Sequence, residues 1–528
     1  MRSTVVALVL ACLAVPASAE GATRHVSPTG AEAGGCERLA PCSVAWAVNG
    51  EGSAPGDTVV IGPGTYADQP LVIARELTVT AAPGAPRPVF RTREGSGLTV
   101  AEGAAGSLVE HLAVRAAGAD APAVSVDAAA TVRDLSITTS AAPCLRSAAS
   151  GVRVEDSTLT ATGVLAEACL ETTGNDTSWT GVTATARNGE LAAAYSGNGT
   201  VLDGTFNSQG VGLEVTGSPA VHRVTGAAGE RGITLSGSVR LTDSVAISRA
   251  GGTAVFAGDG AHVLLNVTAW GARRGGVGVR AANGAQLEVV NTIARGPAAD
   301  LVAEPATATI TEHCADSEGC PAGEIMVDRS NFRTSFGVQA TSENQAGAVR
   351  FADARFEDFR LRRGSPAIDS GSFVFDSGSA DRDGRFRWLG NAPDIGAYEF
   401  PSPRPTRPKA DAKAPTLGVV RLTATRFRVA RRGAAFTAAG VPAGTTLIFV
   451  VSEDADLVAQ VSRAGGRSIG TMVRPVVRGT NRLVLSGRVD GRVLAPGRYV
   501  LKIIARDVSQ NLSRARRLPF TVVGAASR

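Results

Sequence analysis

The sequence predicts an all-β protein, a right-handed parallel β-helix (a solenoid) followed by a small β-sandwich. Three observations lead there. Short β-like segments recur through the first part of the chain at intervals in the low twenties. Helix-like 3.6-residue periodicity is scarce between them. The texture then changes beyond a Pro-, Arg- and Lys-rich stretch that begins near residue 401.

The repeat is a polar residue leading into apolar alternation. His111-Leu112-Ala113-Val114, Asp134-Leu135-Ser136-Ile137 and Asp156-Ser157-Thr158-Leu159 are 23 and 22 residues apart. Asp243-Ser244-Val245-Ala246-Ile247, Asn266-Val267-Thr268-Ala269 and Asn291-Thr292-Ile293-Ala294 follow at intervals of 23 and 25. Weaker copies near Asp203 and Arg223 fill the gap. Small residues and glycines separate the segments. This excludes βαβ units, which need a helix in every crossover. The L-x-x-L-x-L-x-x-N pattern of leucine-rich repeats is also missing. In a solenoid, equivalent residues of adjacent coils stack about 4.8 Å apart. Cys144 and Cys169 are 25 residues apart, one coil, so the fold predicts that they face each other within disulfide range. Asn266 and Asn291, also one coil apart, are expected to form an asparagine ladder in a turn.

Solenoid ends expose unpaired backbone and need caps. Residues 43–49 read as a short helix, with Val44, Ala45 and Val48 placed to lie over the first coil. Gly56-Asp57-Thr58-Val59-Val60-Ile61-Gly62-Pro63-Gly64-Thr65-Tyr66 then gives a turn, a strand and a Pro-Gly turn. Residues 359–400 close the repeat region. The opening segment, with Cys36 and Pro41-Cys42 upstream, resembles the start of pectin-lyase-like right-handed parallel β-helix proteins. The closing segment carries Gly364-Ser365-Pro366-Ala367-Ile368-Asp369-Ser370-Gly371, then Asp381-Arg382-Asp383-Gly384, then Pro393-Asp394-Ile395-Gly396-Ala397-Tyr398-Glu399. It is similar to the end of bacterial choice-of-anchor Q domain proteins. The resemblance spans residues 24–400, though the central coils rest on periodicity alone.

Residues 401–414 form a semi-rigid linker. In residues 415–528, segments 446–451 and 498–505 are strand-like and Pro496-Gly497 marks a turn, as in a β-sandwich. Pro496-Gly497-Arg498-Tyr499 through Ala505-Arg506-Asp507, then Asn511, resembles the last strands of bacterial immunoglobulin-like modules. Charge divides along the same line. Residues 402–528 hold 23 basic and 6 acidic side chains, a net +17, whereas residues 20–401 hold 29 basic and 42 acidic, a net −13. So basic a module is expected to attract polyanions; the alternative is a merely solvated arginine surface.

Residues 1–19 read as a signal peptide: Arg2, an apolar run over 5–15 too short to span a bilayer, and Ala17-Ser18-Ala19 at the cleavage site. A membrane anchor and lipidation at Cys12 are the rival readings. No later apolar stretch approaches twenty residues, so no membrane span is expected after cleavage, and the mature chain is expected to be secreted or held at the cell surface. Six cysteines then remain, and three local disulfides follow, Cys36–Cys42, Cys144–Cys169 and Cys314–Cys320. Zinc is the rival, but no CxxC pair is present.

The chemistry is defined largely by what is missing. The pectin-lyase-like resemblance implies activity on acidic polysaccharides. Some such lyases use a lysine base, yet the chain's three lysines are Lys409, Lys413 and Lys502, so residues 20–401 have none. An arginine base stays open, with no arginine singled out. Hydrolases of the fold carry Asn-Thr-Asp, Asp-Asp, Gly-His-Gly and Arg-Ile-Lys, and none occurs. Glu155-Asp156 and Glu357-Asp358 are expected to be turn acids, because strand neighbours point to opposite faces. His111 occupies the turn position of Asp134 and Asp156. No zinc-type histidine spacing appears. Asp381-x-Asp383-Gly384 matches the start of a calcium loop without its later acidic ligand, so an Asx-turn is the reading and calcium the alternative cofactor. Trp179, Tyr195 and Trp270 are the candidate sugar-stacking residues of the coils, with core packing the alternative.

The leading expectation is therefore a monomeric surface protein that binds extracellular polysaccharide or an anionic envelope polymer, without strong catalysis. A polysaccharide lyase with an arginine base and a protein-binding adhesin are the alternatives. Nucleic acid is not an expected partner.

Overall fold

The computed structural model describes residues 21–304, 323–341, 343–372, 380–387, 389–390, 392–400, 414–429, 436–437, 444–453, 455–464, 468–476, 478–489, 492–506 and 512–523. The proposed signal peptide, most of the linker, Cys314 and Cys320 lie outside these residues. The protein is all-β, a parallel β-solenoid of about eleven turns with further small sheets. Among the described residues no helix is long and apolar enough to cross a membrane. Two compact units are present, Met1–Thr200 with Gly204–Leu213, and Val201–Asp203 with Glu214–Arg528.

In the first unit each coil contributes three short strands. One coil runs from Thr131–Arg133 on a first face to Ser136–Thr139 on a second and Leu145–Ser147 on a third. Alternation along each strand sends every other side chain inward. On the second face Tyr66, Phe90, Val114, Ile137, Leu159, Ala184 and Phe206 stack in register as one interior column, closed to solvent. Tyr66 and Phe90 lie ring on ring at 4.8 Å.

The polar residue that leads each repeat is the corner between the first and second faces. His111, Asp134, Asp156, Asp203, Arg223, Asp243, Asn266 and Asn291 all have φ between 45° and 59°. Asp and Asn tolerate this left-handed region better than other side chains, which is why the corner writes itself into the sequence. One coil escaped the pattern because its corner is Gly181, at φ 67°.

The N-terminal cap is a single turn of helix, Ala45–Asn49. Val44 and Val48 are buried as expected, but Ala47 and not Ala45 is the third apolar contact. Among the described residues two disulfides form, Cys36–Cys42 and Cys144–Cys169, the latter with Cα atoms 4.7 Å apart, one strand spacing.

In the second unit the second face is built from Thr225–Ala228, Val245–Ser248, Thr268–Gly271 and Ile293–Arg295. Several of its outward residues, Ala227, Val245, Ile247, Trp270 and Ile293, are apolar, because the closing segment folds back over them. Ala227, Val245 and Ile247 share a core with Phe359 and Ala397, and Trp270, Phe351 and Tyr398 pack against it. The closing segment is fastened by buried polar contacts. Asn291 donates to Asn266 at 3.0 Å and Asn266 to Asp243 at 3.0 Å, so the expected asparagine ladder exists and begins on an aspartate. Arg387 of the closing segment reaches the same Asp243, and Asn291 exchanges two hydrogen bonds with the backbone of Ser372.

Beyond residue 414 two sheets face each other. One contains Leu417–Leu422, Thr445–Val451, Gly479–Leu485 and Phe436–Thr437; the other contains Arg426–Arg428, Arg516–Val523, Gly497–Arg506, Ala455–Arg463 and Ser468–Val476. Leu447 and Phe449 of the first share one core with Leu457, Leu501 and Phe520 of the second, which makes a β-sandwich.

Candidate functional site

The outward positions of the second face in the first unit form a surface of unusual chemistry. Arg91 and Arg115 pair directly across adjacent coils, and both are exposed. Like charges stacked one strand spacing apart repel, at a cost of a few tenths to about 1 kcal/mol. Among the described residues no carboxylate pairs with either. Arg93 follows in the next turn, its Nε 4.0 Å from a carboxylate oxygen of Asp68, whose other oxygen accepts the Arg93 backbone N–H. Asp68, Arg91, Arg93, Arg115, Thr138 and Ser140 line one open cavity of about 470 Å³.

The face continues as a hydroxyl lattice. Ser136, Thr158 and Thr183 stand in one row across three coils, and Thr138, Thr160 and Thr185 in a second row on the same strands. Alternation puts both rows outside, while Ile137, Leu159 and Ala184 between them point in. Hydroxyls at strand spacing supply donors and acceptors that repeat along the solenoid axis. Guanidinium groups at one end of such a track supply planar forks that match a carboxylate, sulfate or phosphate.

The expected stacking residues are not part of this surface. Trp179 and Tyr195 are 0% and 1% exposed. They meet edge to face at 5.1 Å inside the coil, and Phe206 packs on the same indole. The Tyr195 hydroxyl donates to the Thr177 carbonyl at 2.6 Å and accepts from Gly199, and burial pushes its pKa up to about 12. Trp270 is outward but covered, by Phe351 at 5.7 Å and by Phe359 of the closing segment at 5.4 Å. The sugar-stacking expectation is thereby corrected: alternation carries two of the rings inward, and the closing segment covers the third.

The calcium candidates serve the cap. Asp381 accepts the backbone N–H groups of Asp383, Arg385 and Glu399. Asp383 takes both arms of Arg360, at 2.8 and 3.0 Å. Among the described residues no cluster of three or more His, Cys, Asp or Glu could hold a metal. Arg91, Arg93 and Arg115 were not distinguished in the sequence among many arginines. The usable signal was parity: Arg91 and Arg115 each follow an interior residue, Phe90 and Val114, and lie one coil length apart.

No protein-family model matches the sequence, and no curated protein matches it either. Among solved structures, the chain is similar to pectate lyase Pel9A at 14% identity and a TM-score of 0.39, over 72% of this chain and 96% of that one. The enzymatically active domain of bacteriophage CBA120 tailspike protein 2 is similar at 10% identity and a TM-score of 0.30, over 88% and 72%. The catalytic domain of a GH87 alpha-1,3-glucanase in complex with nigerose is similar at 9% identity and a TM-score of 0.29, over 58% and 64%. At these values the likenesses say nothing about the site, which stands on its own geometry.

Proposed function

We propose that the protein is an exported or cell-surface β-solenoid that binds an acidic polysaccharide along the second face of its first unit. The observation that carries this reading is the stacked, unpartnered pair Arg91 and Arg115, with Arg93 beside it. A polyanion relieves their mutual repulsion and meets the hydroxyl rows beyond them. The net −13 of residues 20–401 does not oppose this, because charges further than a Debye length of about 8 Å are screened at physiological salt. The signal-like residues 1–19 support export. The closing segment is proposed as a choice-of-anchor Q-like cap and the sandwich as an immunoglobulin-like module. For the latter, the Tyr499 hydroxyl donates to the Ala495 carbonyl at 2.6 Å, a corner contact seen in such folds.

The second reading is a lyase at the same groove. With no lysine in residues 20–401, one of Arg91 and Arg115 would have to act as the neutral guanidine and take the proton from the uronate C5 while the other, as guanidinium, neutralises the carboxylate; the C4–O bond would break as C4=C5 forms, and the leaving sugar oxygen would take its proton from water. One experiment separates the two. Mature protein is incubated with a panel of polyuronates, following binding by affinity electrophoresis and unsaturated products by ultraviolet absorbance. Binding without absorbance supports the first reading and rising absorbance the second. Binding unchanged by R91Q/R115Q removes the groove from both.

A further inference from the structure

We propose that the C-terminal sandwich carries a second, anion-binding surface and that it holds a phosphodiester-linked polyol polymer. It lies on the outer face of the five-stranded sheet. Phe427, Tyr499 and Phe520 stack inward, at centroid distances of 5.4 and 5.5 Å. Their strand neighbours Arg426, Arg428, Arg498 and Thr521 therefore point outward. Arg426 and Arg498 flank Thr521 in register, two strand spacings or about 9.6 Å apart. Further along, Lys502 pairs directly opposite Arg517, about 5 Å away across the ladder.

Two cations facing each other in a sheet are destabilising unless an anion lies between them. Among the described residues none of Arg426, Arg428, Arg498, Lys502 and Arg517 has a carboxylate partner. Charge complementarity thus selects a polyanion, and the rest of the face selects its backbone. Val500 and Pro519, directly opposite each other, lie outward between Arg498 and Lys502, and Ile504 and Val523 lie outward beyond them, a strip suited to methylene groups. No outward position of these three strands is aromatic, so nucleic-acid bases would find no stacking platform. A polymer whose charge sits in the linkages between short polyol units meets both conditions. The arginine forks suit its phosphate oxygens.

This site is independent of the solenoid groove, and the test keeps the two apart. Full-length mature protein is titrated with poly(glycerol phosphate) over a salt series, with polygalacturonate and single-stranded DNA as competitors. Substitution R498Q/K502Q/R517Q is expected to weaken binding at least about tenfold at low salt. It should also lower the slope of log affinity against log salt by about 2, the loss of three phosphate contacts. The charge-keeping K502R/R517K variant and the groove variant R91Q/R115Q should bind like the parent. An unchanged affinity in a triple variant with the parent's melting temperature overturns the proposal. So does loss of binding in K502R/R517K, or tighter binding of either competitor through the same residues.

Discussion

Arg387 donates from Nε to Asp243 Oδ1 at 2.9 Å, and both side chains are sealed from solvent, at 0% and 1% exposure. The contact joins a corner of the coils to the closing segment more than a hundred residues later. Arg387 also donates to the Gly396 carbonyl at 2.7 Å and approaches Glu399 at 3.7 Å. Replacing it leaves the buried Asp243 carboxyl without its cation.

R387M is therefore expected to cost about 3–5 kcal/mol, the usual penalty for breaking one side of a buried pair. R387M/D243N should recover part of that loss, because the orphaned charge goes too. Urea unfolding of the three proteins checks both statements. A single variant within about 1 kcal/mol of the parent would show that the ion pair does not hold the closing segment.

The same cluster makes stability depend on pH. Burial holds the Glu399 carboxyl up at about 8, and the neighbouring Asp394 charge adds to the effect. Burial likewise raises Asp394, to about 6. Raised carboxyls keep protons in the folded state that the unfolded chain releases. Their contribution is complete below the ordinary value of 4.5 for Glu399 and is lost as pH rises through about 8. The melting temperature is expected to fall across that window, and E399Q, permanently neutral, should flatten the fall. An equally steep profile in E399Q would assign the pH dependence elsewhere.

The Cys144–Cys169 bridge closes a loop of one coil, with a sequence separation of 25. Chain-entropy reasoning gives such a bridge on the order of 3 kcal/mol. C144S/C169S should lose about that much, and non-reducing peptide mapping of the parent should return both cysteines in one linked peptide. A free thiol at either position would contradict the coil register.

The solenoid was legible because its constraint is local and repeated. A left-handed corner accepts Asp and Asn at low cost, so Asp134, Asp156, Asp243, Asn266 and Asn291 mark successive coils. Gly181 satisfies the same corner without a side chain and so left no mark. Side-chain direction was the harder part. Trp179 and Tyr195 read equally well as exposed platforms or as core, and only the strand register, which carries Val154 opposite Trp179, turns the indole inward. Trp270 does point outward, but what covers it comes from Phe351 and Phe359, far along the chain. The arginine groove stayed hidden for a related reason: Arg91, Arg93 and Arg115 converge through coil stacking, which composition does not report.

The groove itself makes an opposed pair of predictions. Asp68 is the acidic member of its lining and sits beside Arg93. An acidic glycan held by Arg91 and Arg115 would feel that carboxylate as repulsion and would compete with it for Arg93. D68N should therefore tighten binding of a polyuronate, while R91Q and R115Q each weaken it. At an exposed site a single charge is worth up to about 1 kcal/mol, so each change should be about two- to fivefold. All three effects should shrink together toward 1 M salt, where the Debye length is about 3 Å. Affinity electrophoresis of the four proteins in polygalacturonate gels measures this directly. If D68N weakened binding along with the arginine variants, Asp68 would be contacting the ligand, and the charge-driven account of the groove would fail.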